Sequence, residues 1–268
     1  MKLGLTLPSF VDDPAIPLAV ARAAENAGVD GIFVYDHLFR EGRGTRRPAI
    51  ESVALLGAVA AATSTIAVGA LVFRAWLRPA ATLAASIETI TRIAPGRVVA
   101  AIGSGDSQSR EENESFGLGF RTVADRVGAL ESAVQASRDR GARIWVGGHH
   151  PAVRAVAARD ADGWNSWGGD AAAFATGAAG MLRTADRPGF ECTWGGLVVV
   201  DEDEERAAQK AVRLQASPDT IVGGPAGVAR QLGAFGAAGA TWAIVGPVDS
   251  QDPANAVTLG ERVKPLLA

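Results

Sequence analysis

The feature that most constrains this chain is a set of short apolar runs that do not alternate with polar residues. They read LGLTLP at 3–8, GIFVYDH at 31–37, STIAVGALVF at 64–73, RVVAAIG at 97–103, RIWVGG at 143–148, DGWNSWG at 162–168, GGLVVV at 195–200 and WAIVGP at 242–247. A strand with one wet face alternates every second residue, whereas a strand covered on both faces reads as an unbroken apolar run. Covered strands of this kind belong to parallel sheets, whose crossover connections lay helices against the sheet. Longer, helix-like stretches separate the runs. One spans 14–28, with Asp12 and Asp13 at its start, Pro14 in its first turn and Gly28 at its end. Others cover 48–63 and 79–93, the second stopping before Pro95-Gly96. A further one sets Val123, Val127, Leu130 and Val134 on one stripe. Eight strand–helix cycles in 268 residues predict a (β/α)8 TIM barrel, with a doubly wound sheet as the structural alternative. No linker or composition break divides the chain, so residues 1–268 read as one domain.

Charge and cysteine content remove several classes of function. Lys and Arg number 26 against 29 Asp and Glu, a net charge of −3, so there is no basic field for nucleic acid. One cysteine, Cys192, excludes both a disulfide framework and a cysteine zinc cluster. The longest apolar run, VALLGAVAAA at 53–62, is short of the roughly 18–20 residues that cross a bilayer. The opening MKLGLTLPSF lacks the apolar core of a signal peptide. The expectation is a cytoplasmic protein acting on a small molecule, with no membrane or nucleic-acid partner. DEDEER at 201–206 reads as the solvated start of a helix, and 214–226 as the least regular loop.

In a barrel, reactive groups gather at the C-terminal ends of the strands. The residues there are Tyr35, Asp36 and His37; Gly69 and Ala70; Ser104, Gly105 and Asp106; Gly147, Gly148, His149 and His150; and Asn165, Ser166 and Trp167. All three histidines of the chain fall on this face, the strongest physical hint of a site. Each group also has a plain reading. Asp36-His37 also reads, less well, as a turn with an Asx bond, and GSGD at 103–106, taken alone, reads best as an ordinary glycine turn. GGHHP at 147–151 is either a strand-to-helix turn, with Pro151 as the first helical residue, or an anion site at a helix N-terminus. No carboxylate stands at ligand spacing from His149 and His150, so no metal is expected.

Taken in order, six pieces resemble the bacterial-luciferase-like monooxygenase superfamily, and within it the branch that uses the deazaflavin coenzyme F420. They are LGLTLP; GVDGIFVYDHLF at 28–39; the stretch 64–106, with Arg78-Pro79 and PGRVVAAIGSGD; FGLGFRTVADRV at 116–127; WVGGHHPAVRAVAARDADGWNSW at 145–167; and VGGPAGVARQLGAFGAAGAT at 222–241. The resemblance implies a (β/α)8 barrel, usually dimeric, that binds F420 or FMN at its C-terminal face. The apolar stretch 53–62 also suits a homodimer contact. The activity implied is hydride transfer between F420 and a small organic substrate. The alternatives are an FMN-dependent monooxygenase, or a flavin- or deazaflavin-binding protein without turnover.

Residue by residue, the resemblance places Asp36 and His37 beside the deazaflavin ring. It makes Gly69 and Ala70 a strand-three bulge joined by a non-prolyl cis peptide. Ser104, Gly105 and Asp106 would face ring and substrate. Gly147, Gly148, His149 and His150 would meet the phosphate-bearing tail, with Asn165 and Ser166 near it. His37 is then the expected acid/base, because imidazole titrates near neutrality. Asp36 would hold its ring or touch the cofactor, and Asp106 is the second candidate proton donor. Two departures stand out. Asp106 occupies a position where several relatives carry Glu, one methylene longer. Between Glu131 and Arg143 the chain is also shorter than the family pattern, and loss of that covering segment implies an open substrate pocket, a large substrate, or cofactor binding with little catalysis.

Overall fold

The computed structural model describes residues 1–40, 47–106 and 109–267. Its barrel strands are β1 (Lys2–Thr6), β2 (Gly31–Val34), β3 (Ala67–Arg74), β4 (Val98–Gly103), β5 (Arg143–Gly147), β6 (Gly163–Trp167), β7 (Glu191–Val200) and β8 (Trp242–Pro247). Each pairs in parallel with the next, and β8 closes the ring on β1. The expected (β/α)8 barrel is what forms. With all strands parallel, every C-terminal end opens on one face, the mouth.

The helices are α1 (Ala15–Asn26), α2 (Ser52–Ala62), α3 (Ala80–Ile93), α4 (Arg110–Ser115), α5 (Val123–Ser137), α6 (Pro151–Asp160), α7 (Ala171–Ala185), α8 (Glu204–Leu214), α9 (Pro225–Ala237) and α10 (Pro253–Thr258). Local chemistry sets several of their starts. Thr122 and Asp125 form a capping box on α5, Asp170 caps α7, and Asp203 of the DEDEER run caps α8. Leu130 and Val134 face the core as their stripe predicts, but Val123 sits in the first turn and is exposed. The stretch 214–226 is more ordered than its sequence suggests. Ile221–Gly223 adds a short strand to β7 at Val198–Val200, beyond the segment 191–195 that β6 pairs. No helix among the described residues is long and apolar enough to cross a membrane.

A few large rings fill the barrel interior. Phe33, Trp145 and Trp242 meet one another with centroids 5.7–6.1 Å apart, joined by Leu71, Val99, Ala101 and Ile244. Glycines make the room for them. A Cβ on Gly31 would stand 2.8 Å from the Trp242 ring, and one on Gly163 would stand 2.9 Å from Trp145. Part of the high glycine content therefore serves close packing, where large and small side chains must interdigitate. Outside the strands, Leu83, Ile87 and Ile90 of α3 and Leu55, Leu56 and Val59 of α2 are buried against the wall. Each such side chain contributes about 1.5–3 kcal/mol by leaving water.

The short connection before β5 has a different consequence from the one expected. α5 ends at Ser137, and a tight turn through Asp139 (φ 60°) and Gly141 (φ 81°) enters β5 at Arg143. A helix-to-strand connection lies at the N-terminal end of a parallel barrel, opposite the mouth. The same turn lines a cleft of about 650 Å³ there, with Gly96, Asp160, Asp162 and Arg187. A longer segment between Glu131 and Arg143 would emerge at that end, so its loss does not open the mouth.

Candidate active site at the barrel mouth

β2 stops at Val34, and Tyr35, Asp36 and His37 leave it at the mouth. Asp36 is 2% exposed and its carboxylate is fully engaged. Oδ1 accepts from Ser52 Oγ at 2.5 Å and from Arg78 Nη2 at 3.0 Å. Oδ2 accepts from the Arg74 backbone N–H and from Arg78 Nη1, both at 2.8 Å. A carboxylate offers about four lone-pair sites, and these four donors take them. Asp36 thus neither orients the His37 ring nor has an acceptor to spare for a cofactor, which corrects both expected roles. Burial pushes the Arg78 guanidinium down, but its bonds to Asp36 and Glu51 outweigh this and raise its pKa. The Arg78-Pro79 dipeptide noted in the sequence thereby acquires its physical reason.

The partner of His37 is Glu112, on α4, a residue the sequence reading passes over. His37 Nδ1 lies 3.0 Å from Glu112 Oε2. Glu112 Oε1 accepts from the Leu38 N–H, from the Phe39 N–H at 3.4 Å and from Arg74 Nη2 at 2.9 Å. Arg74 is buried too. It also donates through Nε to the Asp36 carbonyl at 2.7 Å and through Nη1 to Asn113 Oδ1 at 3.2 Å. Burial pushes the Glu112 carboxyl up, but the bonds from His37 and the Leu38 N–H and the charge of Arg74 hold it below the usual carboxylate range. Glu112 side-chain exposure is 5%, whereas the His37 side chain is 41% exposed. A fixed buried carboxylate therefore carries an imidazole that reaches solvent.

Aromatic rings lead from His37 across the mouth. Phe10 lies 5.8 Å from His37, Tyr35 6.4 Å from His37, and Trp167 6.1 Å from Tyr35. β2 and β6 stand opposite each other in the barrel order, so this row spans the opening. Tyr35 is anchored by donation from Oη to Thr6 Oγ1 at 2.8 Å.

β3 is irregular, but not where expected. The Leu71–Val72 peptide is cis, and the pairing with β4 shifts register between Ala70 and Phe73. Gly69 and Ala70 pair regularly with Val99 and Ala100, so the expected Gly69–Ala70 cis bond is corrected to the next peptide but one. Gly69 is small for another reason: a Cβ there would stand 2.2 Å from the Val99 carbonyl oxygen. Val72 instead fills the mouth, its methyls within 2.5–2.6 Å of where Gly103 and Gly147 would carry a Cβ. Those two glycines make room for Val72.

At the end of β4, Ser104 donates to the Gly105 carbonyl at 3.3 Å, and that carbonyl accepts from Arg126 Nη1 at 2.5 Å. Gly105 has φ 71°, a region open to glycine. Asp106 is exposed and accepts from the Ser109 N–H and Oγ at 3.2 and 3.3 Å, which opens the turn into α4.

At the far side the polar groups belong largely to the wall. The Gly148 N–H donates to the Asn165 carbonyl at 3.2 Å, and the Gly148 carbonyl accepts from Trp164 Nε1 at 2.8 Å. Asn165 donates through Nδ2 to Thr193 Oγ1 at 2.9 Å, and Ser166 is buried. His149 and His150 stay exposed. His149 Nε2 lies 3.2 Å from the Trp167 carbonyl. His150 Nδ1 accepts from the Ala152 N–H at 3.2 Å and caps α6, whose first residue is Pro151. The mouth thus gathers His37, Glu112, Tyr35, Val72 and Trp167, with His149 and His150 at its far edge.

The cleft at the opposite end has arginines but offers a ligand little from them. Arg138 pairs with Asp160, Arg143 with Glu191 and Arg159 with Glu131 and Asp160, while Arg187 donates to the Ala158 and Ala161 carbonyls. Among the described residues, only the mouth presents an exposed titratable ring on a buried anchor.

The model of the luciferase-like monooxygenase family matches residues 1–139. An F420-dependent glucose-6-phosphate dehydrogenase of Beutenbergia cavernae is 32% identical over 135 residues, covering 50% of this chain and 39% of that protein. The enzyme of the same description from Nakamurella multipartita is 28% identical over 227 residues, covering 71% of this chain and 65% of that one. Those alignments thus span less than two thirds of either relative. Among solved structures, an F420-dependent secondary alcohol dehydrogenase in complex with an F420-acetone adduct superposes with a TM-score of 0.82, at 17% identity, over the whole of both chains. At that identity the likeness is one of fold.

Proposed function

This chain belongs to the luciferase-like monooxygenase family, and from that premise we propose that it is an F420-dependent oxidoreductase acting on a small organic molecule. The observation that carries the reading is the exposed His37 imidazole, anchored by a buried carboxylate beside an apolar floor. The residues present suit a planar ring with a polar tail. Val72, Tyr35 and Trp167 give an apolar surface, on which no side chain from Gly103 or Gly147 intrudes. His149 and His150, at the start of α6, would meet the tail, where a helix N-terminus favours an anion. A phosphate there would compete with His150 for the Ala152 N–H. Ser104, Gly105 and Asp106 border the same floor from β4.

When bound, F420 supplies the hydride chemistry; the protein supplies orientation and proton transfer. His37 gives or takes the substrate proton through the ring nitrogen that does not face Glu112. The aromatic row keeps water from the floor beneath. Asp106 is the reserve proton donor, although its carboxylate is committed to Ser109. F420 is favoured over FMN because the curated relatives carry F420 in their descriptions. The family description favours the second reading, an FMN-dependent monooxygenase.

Titrating the purified protein with F420 and with FMN, followed by absorbance and fluorescence, tests this. Tight binding of F420 and not FMN is expected; the reverse would replace the reading with the monooxygenase. A homodimer is part of the proposal. α2 turns Ser52, Leu55, Leu56, Val59 and Ala60 inward and leaves Ala54, Ala58 and Ala61 exposed, a smooth face for a second copy. Light scattering that gives a monomer mass at every concentration would remove it.

A further inference from the structure

We infer that Glu112 is the positioning residue of this site: it locks His37 in the Nδ1–H tautomer and so reserves Nε2 for proton exchange. The inference rests on the proposed proton-transfer role of His37. Three observations carry it.

The first is the donor set around the carboxylate. Oε1 receives the Leu38 and Phe39 N–H groups and Arg74 Nη2, and Oε2 receives His37 Nδ1. These groups and the charge of Arg74 favour the ionised carboxylate, which can only accept. A neutral imidazole has one N–H, so that proton must lie on Nδ1, leaving a lone pair on Nε2.

The second is rigidity. Glu112 is buried, and Asn113 beside it is held by Arg74. Arg74 in turn is held by Asp36, which Arg78 and Ser52 fix. The chain of contacts joins the ends of β2 and β3 to α4, so the acceptor cannot swing away from the ring.

The third is the contrast in exposure. Glu112 is sealed while the ring it holds is open. A carboxylate in that place stabilises the imidazolium that forms when Nε2 takes a proton, without becoming protonated itself.

A purely structural staple would hold the loop equally well but would not require one tautomer. Glu112→Gln separates the two. Three donors converge on Oε1 and demand an oxygen there. The new amide nitrogen must then face His37 and donate to Nδ1. This drives the ring to the Nε2–H form, the wrong tautomer for exchange.

The measurement is long-range proton–nitrogen NMR on 15N-histidine-labelled protein without cofactor, at a pH where the ring is neutral. The chain has only three histidines, and His37→Asn assigns the relevant one. Wild type is expected to show the proton on Nδ1, and E112Q to show it on Nε2. F420 binding by E112Q should match wild type, while turnover falls by about 10²–10⁴-fold. Wild-type His37 in the Nε2–H form would overturn the inference and needs no variant. An unchanged tautomer in folded E112Q would do the same. Failure of F420 to bind would strike the proposed function and leave the tautomer result standing.

Discussion

From β1 to β4 the mouth is edged by buried charges, whereas at β5 and β6 it is edged mainly by main-chain turns and a helix cap. On the first side Asp36, Arg74, Arg78 and Glu112 are all largely sealed and each satisfies another. On the second side Gly148, Asn165, His149 and His150 make short-range bonds to neighbouring strands and to the start of α6. Buried charges are costly to place and tolerate little movement once paired. Caps and turns are cheaper and leave donors near solvent. Under the proposed function, the difference predicts geometry-critical chemistry in the first half and binding of a polar tail in the second. The family match over residues 1–139 falls on the first half.

The comparison breaks most directly at His37. His37→Ala is expected to lower turnover by about 10²–10⁴-fold while F420 binding holds. If binding collapses instead and the turnover of bound enzyme survives, the first half is a binding surface and the division is wrong.

Asp36 tests the same half through stability. Asp36→Ala leaves Arg78 without its bidentate partner, in a place where its side chain is 15% exposed. Breaking a buried pair costs about 3–5 kcal/mol, readable as a lowered urea midpoint. A change of only a few tenths would mean that Ser52 and Glu51 alone hold the guanidinium.

Acid sharpens the picture. The Glu112 carboxyl lies below its ordinary value of 4.5 in the folded protein. A lowered carboxylate adds stability that is present above the unfolded pKa and disappears as pH falls through the folded one. His37, Arg74 and the Leu38 N–H face it and favour its charge. The stability gap between wild type and E112Q should therefore be widest near neutrality and shrink as pH falls below about 4.5. A gap that is flat from neutral to strongly acid pH would show that charge on Glu112 is not what holds the loop.

Much of this was legible in the sequence because it depends on local pattern. Strands covered on both faces must be apolar throughout, so 97–103 and 242–247 announce themselves. His37 could be placed because it lies three residues past the end of a strand. Glu112 could not, because it meets His37 across 75 residues and sits in an acidic run, SREENE, that reads as solvated. A faint signal exists. Ser109 at the N-cap of α4 and Glu112 and Asn113 within it fall at helical spacing, and all three are buried. The role of Asp36 was misread for the same reason, since Arg78 lies 42 residues away. The resemblance puts the cis peptide at Gly69–Ala70, two peptides before the one that is cis. Gly69 is small because the Val99 carbonyl crowds it, a fact of register rather than composition. The short connection before β5 suggests a lost cover, but strand direction puts it at the other end of the barrel.

The smallest expected effect lies in the second half, at His150. Its Nδ1 caps α6 by accepting from the Ala152 N–H at 3.2 Å, a long bond in an exposed place. His150→Ala should cost the free protein about 0.5–1 kcal/mol, the low end for a lost cap, as measured by urea unfolding. The same substitution frees the Ala152 N–H, which a tail phosphate can take over, but it also removes an imidazole donor from the binding edge. The two effects oppose each other. F420 affinity is therefore expected to weaken only several-fold, and turnover of the bound enzyme to stay near wild type. His149→Ala carries no cap and should weaken F420 binding without the loss of stability. If either change slows bound-state turnover as much as it weakens binding, the second half takes part in the chemistry and the two sides of the mouth are not divided as their contacts imply.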